Sequence, residues 1–393
     1  MKEKIKNGMT NFKLTGLMGL ILLSGMLTPE NAQATCSLES GNGTVNGNTP
    51  LIQPVALTAP FSITRLTGSS EATGTPLYSG EIIPYLNARV SCTSPMVANG
   101  IVEVYEYESA PLGLWAGDIG MYSGKIYNTG LDGVGLVVVE IGNENNVAPM
   151  ERVIPIGSGT TSASMTGMNF VYYRLIKTGP LSYGTIDGSQ LPVLKYHLRI
   201  DDGTISKIDV FSVNFSGIIS VNKPTCHATE TDKVVQLGTW DKNSFANVGD
   251  ASSWVDSSLN MVCDDAFYGS GGEYNFMFEN DSDGNVFISS SDSKANSSNV
   301  WGVRFTSSTG LIDATQGIIA LDSSNGDNAT GVGIQLSAST NVAGIVDLTT
   351  GWSGTIGLGS SAFRVPIYAR YIRTGDITAG SANGKVIYTV DYQ

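Results

Sequence analysis

The final strand-like stretch of the chain constrains its fold more than any other segment. Alternate positions carry apolar or aromatic side chains: Val386, Tyr388, Val390 and Tyr392. The positions between them are mostly polar: Ile387, Thr389, Asp391 and Gln393. Because side chains with a period of two point to opposite faces of a β-strand, the stretch predicts a half-buried strand. We expect another element to cover its apolar face.

The amino-terminal segment has the pattern of a secretory signal peptide. Lysines precede an apolar run from Leu14 to Leu27, and Ala32-Gln33-Ala34 supplies the small residues of a cleavage site. The run is short for a membrane-spanning helix. We expect residues 1–34 to be removed on export through the periplasm, which leaves a mature chain that begins at Thr35.

Composition and charge exclude several classes of function. The formal net charge of −13 argues against nucleic acid or anionic lipid as a partner. Only 15% of the residues are charged, and 47 glycines stand among short apolar runs. Such a composition favours β-sandwiches with many turns over a disordered chain.

The four cysteines of this exported chain are expected to form disulfides. Three pairings are possible. The order in the sequence favours Cys36 with Cys92 and Cys226 with Cys263, which gives one bridge to each half of the chain.

An internal repeat divides the chain into two related parts. Three stretches recur in the same order: residues 133–136 with 331–334, 173–184 with 369–380, and 211–216 with 388–393. The repeat predicts two domains, residues 35–221 and 222–393, joined by a short linker at 221–225. The first copy is longer before its closing strand, so it predicts an extra hairpin with its turn at residues 201–203.

The end of the chain resembles the carboxy-terminal signature of subunits from chaperone/usher fimbriae. The resemblance rests on Gly380, fourteen residues from the end, on the alternating residues that follow, and on the penultimate Tyr392. It implies an all-β fold of two immunoglobulin-like or jelly-roll sandwiches in tandem. The second would be an incomplete pilin sandwich that a donor strand completes. Its chaperone and assembly surface would comprise Val386, Tyr388, Val390, Tyr392 and Gln393.

The layout of the whole mature chain resembles the two-domain tip adhesins of these fimbriae. A chain that starts at Thr35-Cys36 has no donor extension of its own, so we expect it to accept a strand at the fimbrial tip. The implied partners are a periplasmic chaperone, an outer-membrane usher, the next fimbrial subunit, and a host-surface glycan or matrix protein. A structural tip or adaptor subunit remains the alternative.

The candidate ligand residues fall into two patches of the first domain. The first surrounds the hairpin turn at Asp201 and Asp202, with Tyr196, His197 and Asn99 nearby. The second contains Trp115 and Asp118. Carboxylates accept hydrogen bonds from sugar hydroxyls, and aromatic rings cover the apolar face of a pyranose. Both patches also have a plain structural interpretation, as a hairpin turn and as a buried tryptophan.

Enzymatic and metal sites have little support in the sequence. The two histidines, His197 and His227, lie in no hydrolase or zinc motif. Residues 281–285 lack the glycine and glutamate positions of a calcium loop and predict a hairpin turn between 276–278 and 286–288. We expect no catalytic residue, metal or cofactor, although a glycosidase with a carboxylate pair remains open.

Overall fold

The computed structural model describes residues 36–39, 54–61, 65–68, 71–84, 88–165, 171–203, 205–280, 286–324 and 326–392. The predicted signal peptide, Thr35, the predicted turn at 281–285 and Gln393 lie outside these ranges. Within them, no helix is long and apolar enough to cross a bilayer.

The first half of the chain consists of short strands joined by turns. Its strands are β1 (Cys36–Leu38), β2 (Val55–Pro60), β3 (Arg65–Thr67), β4 (Pro76–Pro84), β5 (Ala88–Cys92), β6 (Ile101–Ser109), β7 (Tyr127–Asn128), β8 (Val134–Glu140), β9 (Asn143–Val147), β10 (Met150–Ile154), β11 (Ser162–Met165), β12 (Val171–Lys177), β13 (Gly184–Asp187), β14 (Val193–Asp201), β15 (Ile205–Ser216) and β16 (Ile218–Asn222). Two 3-10 turns, Gly120–Tyr122 and Gly188–Gln190, interrupt the connections.

The second half has the same character. Its strands are β17 (Cys226–Ala228), β18 (Val255–Asp256), β19 (Leu259–Phe267), β20 (Gly272–Asn280), β21 (Val286–Lys294), β22 (Asn299–Ser307), β23 (Leu311–Asp313), β24 (Ile318–Ile319), β25 (Thr330–Ser337), β26 (Trp352–Ile356), β27 (Ser360–Val365), β28 (Tyr368–Thr378) and β29 (Val386–Tyr392). Two further 3-10 turns span Lys242–Ser244 and Val342–Gly344. The predicted all-β fold is confirmed.

The first sandwich packs two large sheets face to face. One has the strand order β10-β6-β14-β15-β2, and the other runs β21-β20-β4-β12-β8-β7, with β9 paired to β8. Their inner faces share one core, to which Tyr105 and Tyr196 contribute from the first sheet and Tyr78 and Tyr173 from the second. Small sheets β1-β5-β11 and β13-β16-β3 complete this half.

Strand β8 is buried on both faces, which explains its nearly continuous apolar sequence. Leu136 and Val138 belong to the core between the sheets. Val137 and Val139 point outward into a second apolar cluster, which Tyr122 helps to cover.

A hairpin from the second half lies in the sheet of the first half. Strand β20 pairs with β4 in parallel, from Gly272 opposite Tyr78 to Phe278 opposite Pro84, and β21 pairs with β20 on its far side. The hairpin that the sequence predicts around residues 281–285 is therefore present as β20 and β21. The predicted division of the chain near residue 222 remains a prediction, but the packing of this hairpin crosses it.

The second sandwich contains three sheets, β17-β19-β27, β18-β28-β25-β24-β23 and β26-β22-β29. Alternation along β19 shows why it forms: Leu259 and Met261 are buried in the core of this half, whereas Asn260 and Val262 are exposed. A period of two places one set of side chains inside and the other in solvent.

The internal repeat is reproduced in the strand pairing. Leu136 pairs with Leu175 between β8 and β12, and the matching residues Ile334 and Tyr371 pair between β25 and β28. The repeated glycine before β8, Gly133, has a φ of +83°, and a Cβ there would lie 2.2 Å from the carbonyl oxygen of Pro180.

The second copy repeats this close approach. Gly331 has a φ of +66°, and its Cβ would lie 2.3 Å from the carbonyl oxygen of Asp376, which is the position equivalent to Pro180. Only glycine satisfies both the left-handed conformation and the close approach. The two sandwiches therefore share the same glycine conformation and the same close backbone contact at equivalent positions.

Both predicted disulfides are confirmed, Cys36–Cys92 and Cys226–Cys263. Each joins two antiparallel strands at directly opposite residues. The predicted extra hairpin of the first half is also present, because β14 pairs with β15 around the turn at residues 201–203.

Candidate functional site

Strand β29 has the alternation that the sequence predicts. Val386, Tyr388, Val390 and Tyr392 face the second core and are partly buried, whereas the residues between them are exposed. The ring of Tyr392 meets those of Phe267 and Phe363 edge-on, with centroids 6.0 and 6.2 Å away. One face of the last strand is therefore committed to the core of the second sandwich.

One edge of β29 is open within the described part of the chain. Its other edge pairs with β22, from Trp301 opposite Tyr392 to Ser307 opposite Val386. No described strand pairs with the far edge of β29. An exposed row of backbone N–H and C=O groups is a template for pairing with another strand.

The matching strand of the first half shows what is missing. Strand β15 is paired on both edges, with β14 on one side and with β2, in parallel, on the other. Its inward residues Phe211, Val213 and Phe215 are only 2%, 0% and 4% exposed.

The equivalent inward residues of β29 are Tyr388, Val390 and Tyr392, and all three remain partly exposed. The difference follows from β2: in the first half its Leu57 and Ala59 also enter the core. Among the described residues, the second sandwich has a gap where the first sandwich has a strand.

Two tyrosine side chains reach across that gap. The Tyr392 hydroxyl accepts a hydrogen bond of 2.8 Å from the backbone N–H of Cys226, and the Tyr388 hydroxyl lies 3.5 Å from the carbonyl oxygen of Glu230. The segment that faces β29 across the gap is therefore residues 226–230, at the start of the second half. The sequence did not single out this segment as part of the site.

A second candidate surface lies at the end of the first sandwich away from residue 222. We call it the distal pole and define it as the turns at residues 95–100, 156–160 and 201–203. The backbone of Asp201 bonds to both Val97 and Gly100, at 3.0 and 2.7 Å. The backbone N–H of Asn99 donates to Ile156 at 3.1 Å. Three loops distant in sequence are thereby joined.

The distal pole unites two of the predicted ligand residues, Asn99 and Asp201. Asn99 is exposed and has a left-handed φ of 57°, which asparagine tolerates better than most residues. The carboxylate of Asp201 accepts a 3.0 Å hydrogen bond from the backbone N–H of Gly203 and is partly exposed. The turn at 156–160 was not predicted as part of this surface, although Gly157-Ser158-Gly159 is a recognisable turn signal.

Asp202 does not share this exposed surface. It is buried, and one carboxylate oxygen lies 3.3 Å from the Sγ of Cys36. The group formed by Asp202, Cys36 and Cys92 offers no metal site, because the two sulfurs are bonded to each other.

Tyr196 is a core residue and not a ligand contact. Its side chain is 0% exposed and its ring stacks on Phe211, with centroids 4.9 Å apart. Its hydroxyl donates to the buried carboxylate of Glu103 at 2.7 Å, and the Arg152 side chain donates to the other oxygen at 2.9 Å. Tyr196 follows the unbroken alternation of β14, because Leu194, Leu198 and Ile200 point into the same core, and His197 therefore lies on the opposite face.

His197 is also covered. Its Nδ1 lies 3.3 Å from a carboxylate oxygen of Glu106, which is also bound by the Lys207 ammonium at 2.6 Å. Burial, and then the positive charge of Lys207, lower the pKa of His197. The opposing carboxylates of Glu106 and Asp209 raise it by less, and Lys195 adds to the lowering.

Trp115 and Asp118 lie in a loop that leaves β6 at its other end. Strand β6 begins at Ile101, beside the distal pole, and ends at Ser109, opposite Val193. Trp115 packs against the outer apolar cluster over β8, and Asp118 is exposed. The two patches predicted from the sequence therefore do not form one site.

We predict that acidification weakens the first sandwich through His197. A lowered pKa means that the unfolded chain binds the proton more readily than the folded chain, so the free energy of unfolding falls as pH drops through about 6.5. In His197→Gln, the fall in melting temperature between about pH 7 and pH 5 should be smaller than in the unchanged protein.

The matched control is His227→Gln, which removes the other histidine from an exposed position on β17. The pH slope should change more for His197→Gln than for this control. Equal slopes in all three proteins would contradict the assignment.

Comparison with known proteins gives the family. The family model for fimbrial proteins matches residues 213–393. The type-1 fimbrial protein A chain of Escherichia coli K12 is 31% identical over 183 residues, which cover 46% of this chain and 83% of that protein.

Solved structures with a similar chain course include the CupB6 tip adhesin of Pseudomonas aeruginosa, at 15% identity and a TM-score of 0.33, covering 90% of this chain and 94% of that one. They also include the receptor-binding domain of the Klebsiella pneumoniae adhesin MrkD1P, at 18% identity and a TM-score of 0.28, covering 49% and 98%. On the sequence match to the curated relative, the chain belongs to the fimbrial protein family.

Proposed function

We propose that this chain is a fimbrial tip adhesin. Residues 35–221 would bind a host-surface glycan at the distal pole, and residues 222–393 would anchor the subunit by accepting a strand along β29. Members of the fimbrial protein family are structural subunits of cell-surface fimbriae and not enzymes. One observation carries the proposal. The far edge of β29 is open among the described strands, whereas the matching strand β15 has a partner strand on each edge.

The anchoring half of the proposal follows from the chemistry of that edge. A strand placed along β29 would satisfy its free backbone groups, and its apolar side chains would cover Tyr388, Val390 and Tyr392. Strand addition of this kind gives affinity through the backbone and specificity through alternate side chains. A periplasmic chaperone would supply the first such strand, and the next subunit would replace it at an outer-membrane usher.

A difference between the two halves supports the proposed position at the tip. Among the described strands, β29 has an open edge in the second half, whereas the matching strand of the first half is paired on both sides. Such a subunit accepts a strand through one half and presents the distal pole of the other half outward.

The ligand half of the proposal rests on the mixed character of the distal pole. The Asn99 amide can donate and accept hydrogen bonds, and the Asp201 carboxylate accepts them from hydroxyl groups. Val97 and Ile205 are 41% and 72% exposed and stand beside Asp201, with Ile205 directly opposite it in the hairpin. Adjacent polar and apolar groups suit a sugar, which has hydroxyls at its edge and an apolar face.

The anchoring prediction uses the two faces of β29. In Val390→Asp, a charge would enter the apolar gap without a partner, so recovery of a complex with the cognate chaperone should be lost. Ile387→Asp is the matched control, because Ile387 lies on the outer face of the same strand and is 56% exposed. Co-purification measures both. Equal recovery of the two variants would contradict strand addition at this edge.

The ligand prediction uses the full, disulfide-bonded chain on a glycan array. Asn99→Gly removes the amide but keeps the left-handed backbone, and Asp201→Asn removes the charge but keeps the turn acceptor. Each should weaken glycan binding by about ten-fold or more, as for a lost hydrogen bond to a charged or polar group.

Asp118→Asn, in the loop at the other end of β6, is the matched control and should bind normally. If glycan binding were lost only in Asp118→Asn, the binding site would lie in that loop and not at the distal pole. Silence of the folded chain across the array would reject a glycan ligand and favour the matrix-protein or structural alternative.

A further inference from the structure

We propose that the β20–β21 hairpin holds the two halves of the chain together, because it completes the first sandwich with strands from the second. In this account the first half is itself an incomplete sandwich. Its missing strand arrives in cis, from residues 272–280, independently of the strand that β29 is proposed to accept.

The backbone of β20 is a full member of the first sheet. Its pairing with β4 runs without interruption from Gly272 opposite Tyr78 to Phe278 opposite Pro84. The backbone N–H of Gly271 extends the contact with a 2.8 Å bond to the carbonyl oxygen of Leu77. Without the hairpin, β4 would be an open edge strand.

The side chains of β20 enter the first core and not the second. Tyr274, Phe276 and Phe278 are buried and belong to the same apolar cluster as Tyr78 and Tyr173. The Tyr274 ring stacks on Tyr78 at 5.6 Å, and the Phe276 ring stacks beside Tyr173 at 6.2 Å between centroids. Removal of the hairpin would expose these rings on both sides of the contact.

A glycine in β4, Gly80, leaves space for an aromatic ring at this contact. A Cβ at Gly80 would lie 2.1 Å from the ring of Tyr173, so this ring can lie over β4 only because Gly80 has no side chain. Gly80 is directly opposite Tyr274 in the parallel pair. The first half is therefore shaped to receive an aromatic strand at this edge.

Other contacts between the halves are polar, and some of them are buried: the backbone N–H of Thr67, which is 3% exposed, donates to the carbonyl oxygen of Gly269 at 3.1 Å. The Arg65 side chain donates to the Tyr268 hydroxyl at 2.5 Å, and the Thr67 hydroxyl accepts from the backbone of Tyr268 at 2.6 Å. Arg65 is exposed, and exposed polar contacts contribute little to cohesion. Neither disulfide joins the two halves, because one links Cys36 to Cys92 and the other links Cys226 to Cys263. The hairpin adds the buried aromatic contacts to these hydrogen bonds, so we expect it to supply most of the cohesion once the linker is cut.

The test cuts the linker of the otherwise complete protein. A sequence-specific protease site is inserted after Lys223, which is exposed, and the cleaved protein is run on size exclusion without reductant. The two pieces should elute together at the volume of the uncut chain. Elution as two separate species would overturn the proposal.

Two variants assign the cohesion to the hairpin. Cleaved Phe276→Asp should separate into two pieces, whereas cleaved Arg65→Ala, the control for the polar contacts, should stay together. Co-elution of Phe276→Asp, or separation of Arg65→Ala, would contradict the role of the hairpin.

A milder variant covers the case in which Phe276→Asp fails to fold. Cleaved Phe276→Ala should separate at a lower urea concentration than cleaved Arg65→Ala. The opposite order, or no difference, would reject the proposal. None of these readouts uses a glycan, a chaperone or a donor strand, so they are independent of the proposed function.

Discussion

An edge strand whose apolar face is left uncovered is a liability for a β-sandwich, and this constraint explains how β15, β4 and β29 are arranged. Unpaired backbone groups beside an apolar face expose both hydrogen-bonding groups and side chains that belong in a core. The chain meets the constraint locally at β15, where β2 lies alongside. The edge of β4 is covered by β20, a strand that is distant from β4 in the sequence. At β29 the described strands do not meet the constraint.

The two halves therefore share a scaffold but differ in how they are completed. The equal register of β8 with β12 and of β25 with β28, and the equivalent glycines Gly133 and Gly331, show a common construction. The first half gains a strand along β15 and an extra hairpin that ends at the distal pole. In the second half, no described strand lies along the far edge of β29. In our account, the added elements bind a ligand and the missing element provides the attachment.

Local features of this structure could be predicted from the sequence, whereas the long-range ones could not. The alternation of β29, the two disulfides and the β14–β15 hairpin follow from periodicity, cysteine order and turn residues close in the chain. The same alternation in Tyr274, Phe276 and Phe278 indicates a strand with an apolar face, but it cannot say which of two sandwiches receives that face. Tyr196 was misplaced because closeness in sequence to the turn at 201–203 does not mean closeness to the surface: this residue alternates with Leu194, Leu198 and Ile200 into the core.

Residue-resolved hydrogen exchange of the chaperone-free chain tests the central claim most directly, by comparing β15 with β29. The account predicts slow exchange for all the backbone amides at 211–213, since this part of β15 is paired on both edges. At 386–392, alternate amides should exchange fast, because only the edge facing β22 is paired, and they should become slow when a donor strand binds. Uniformly slow exchange in both strands of the unbound chain would contradict the account.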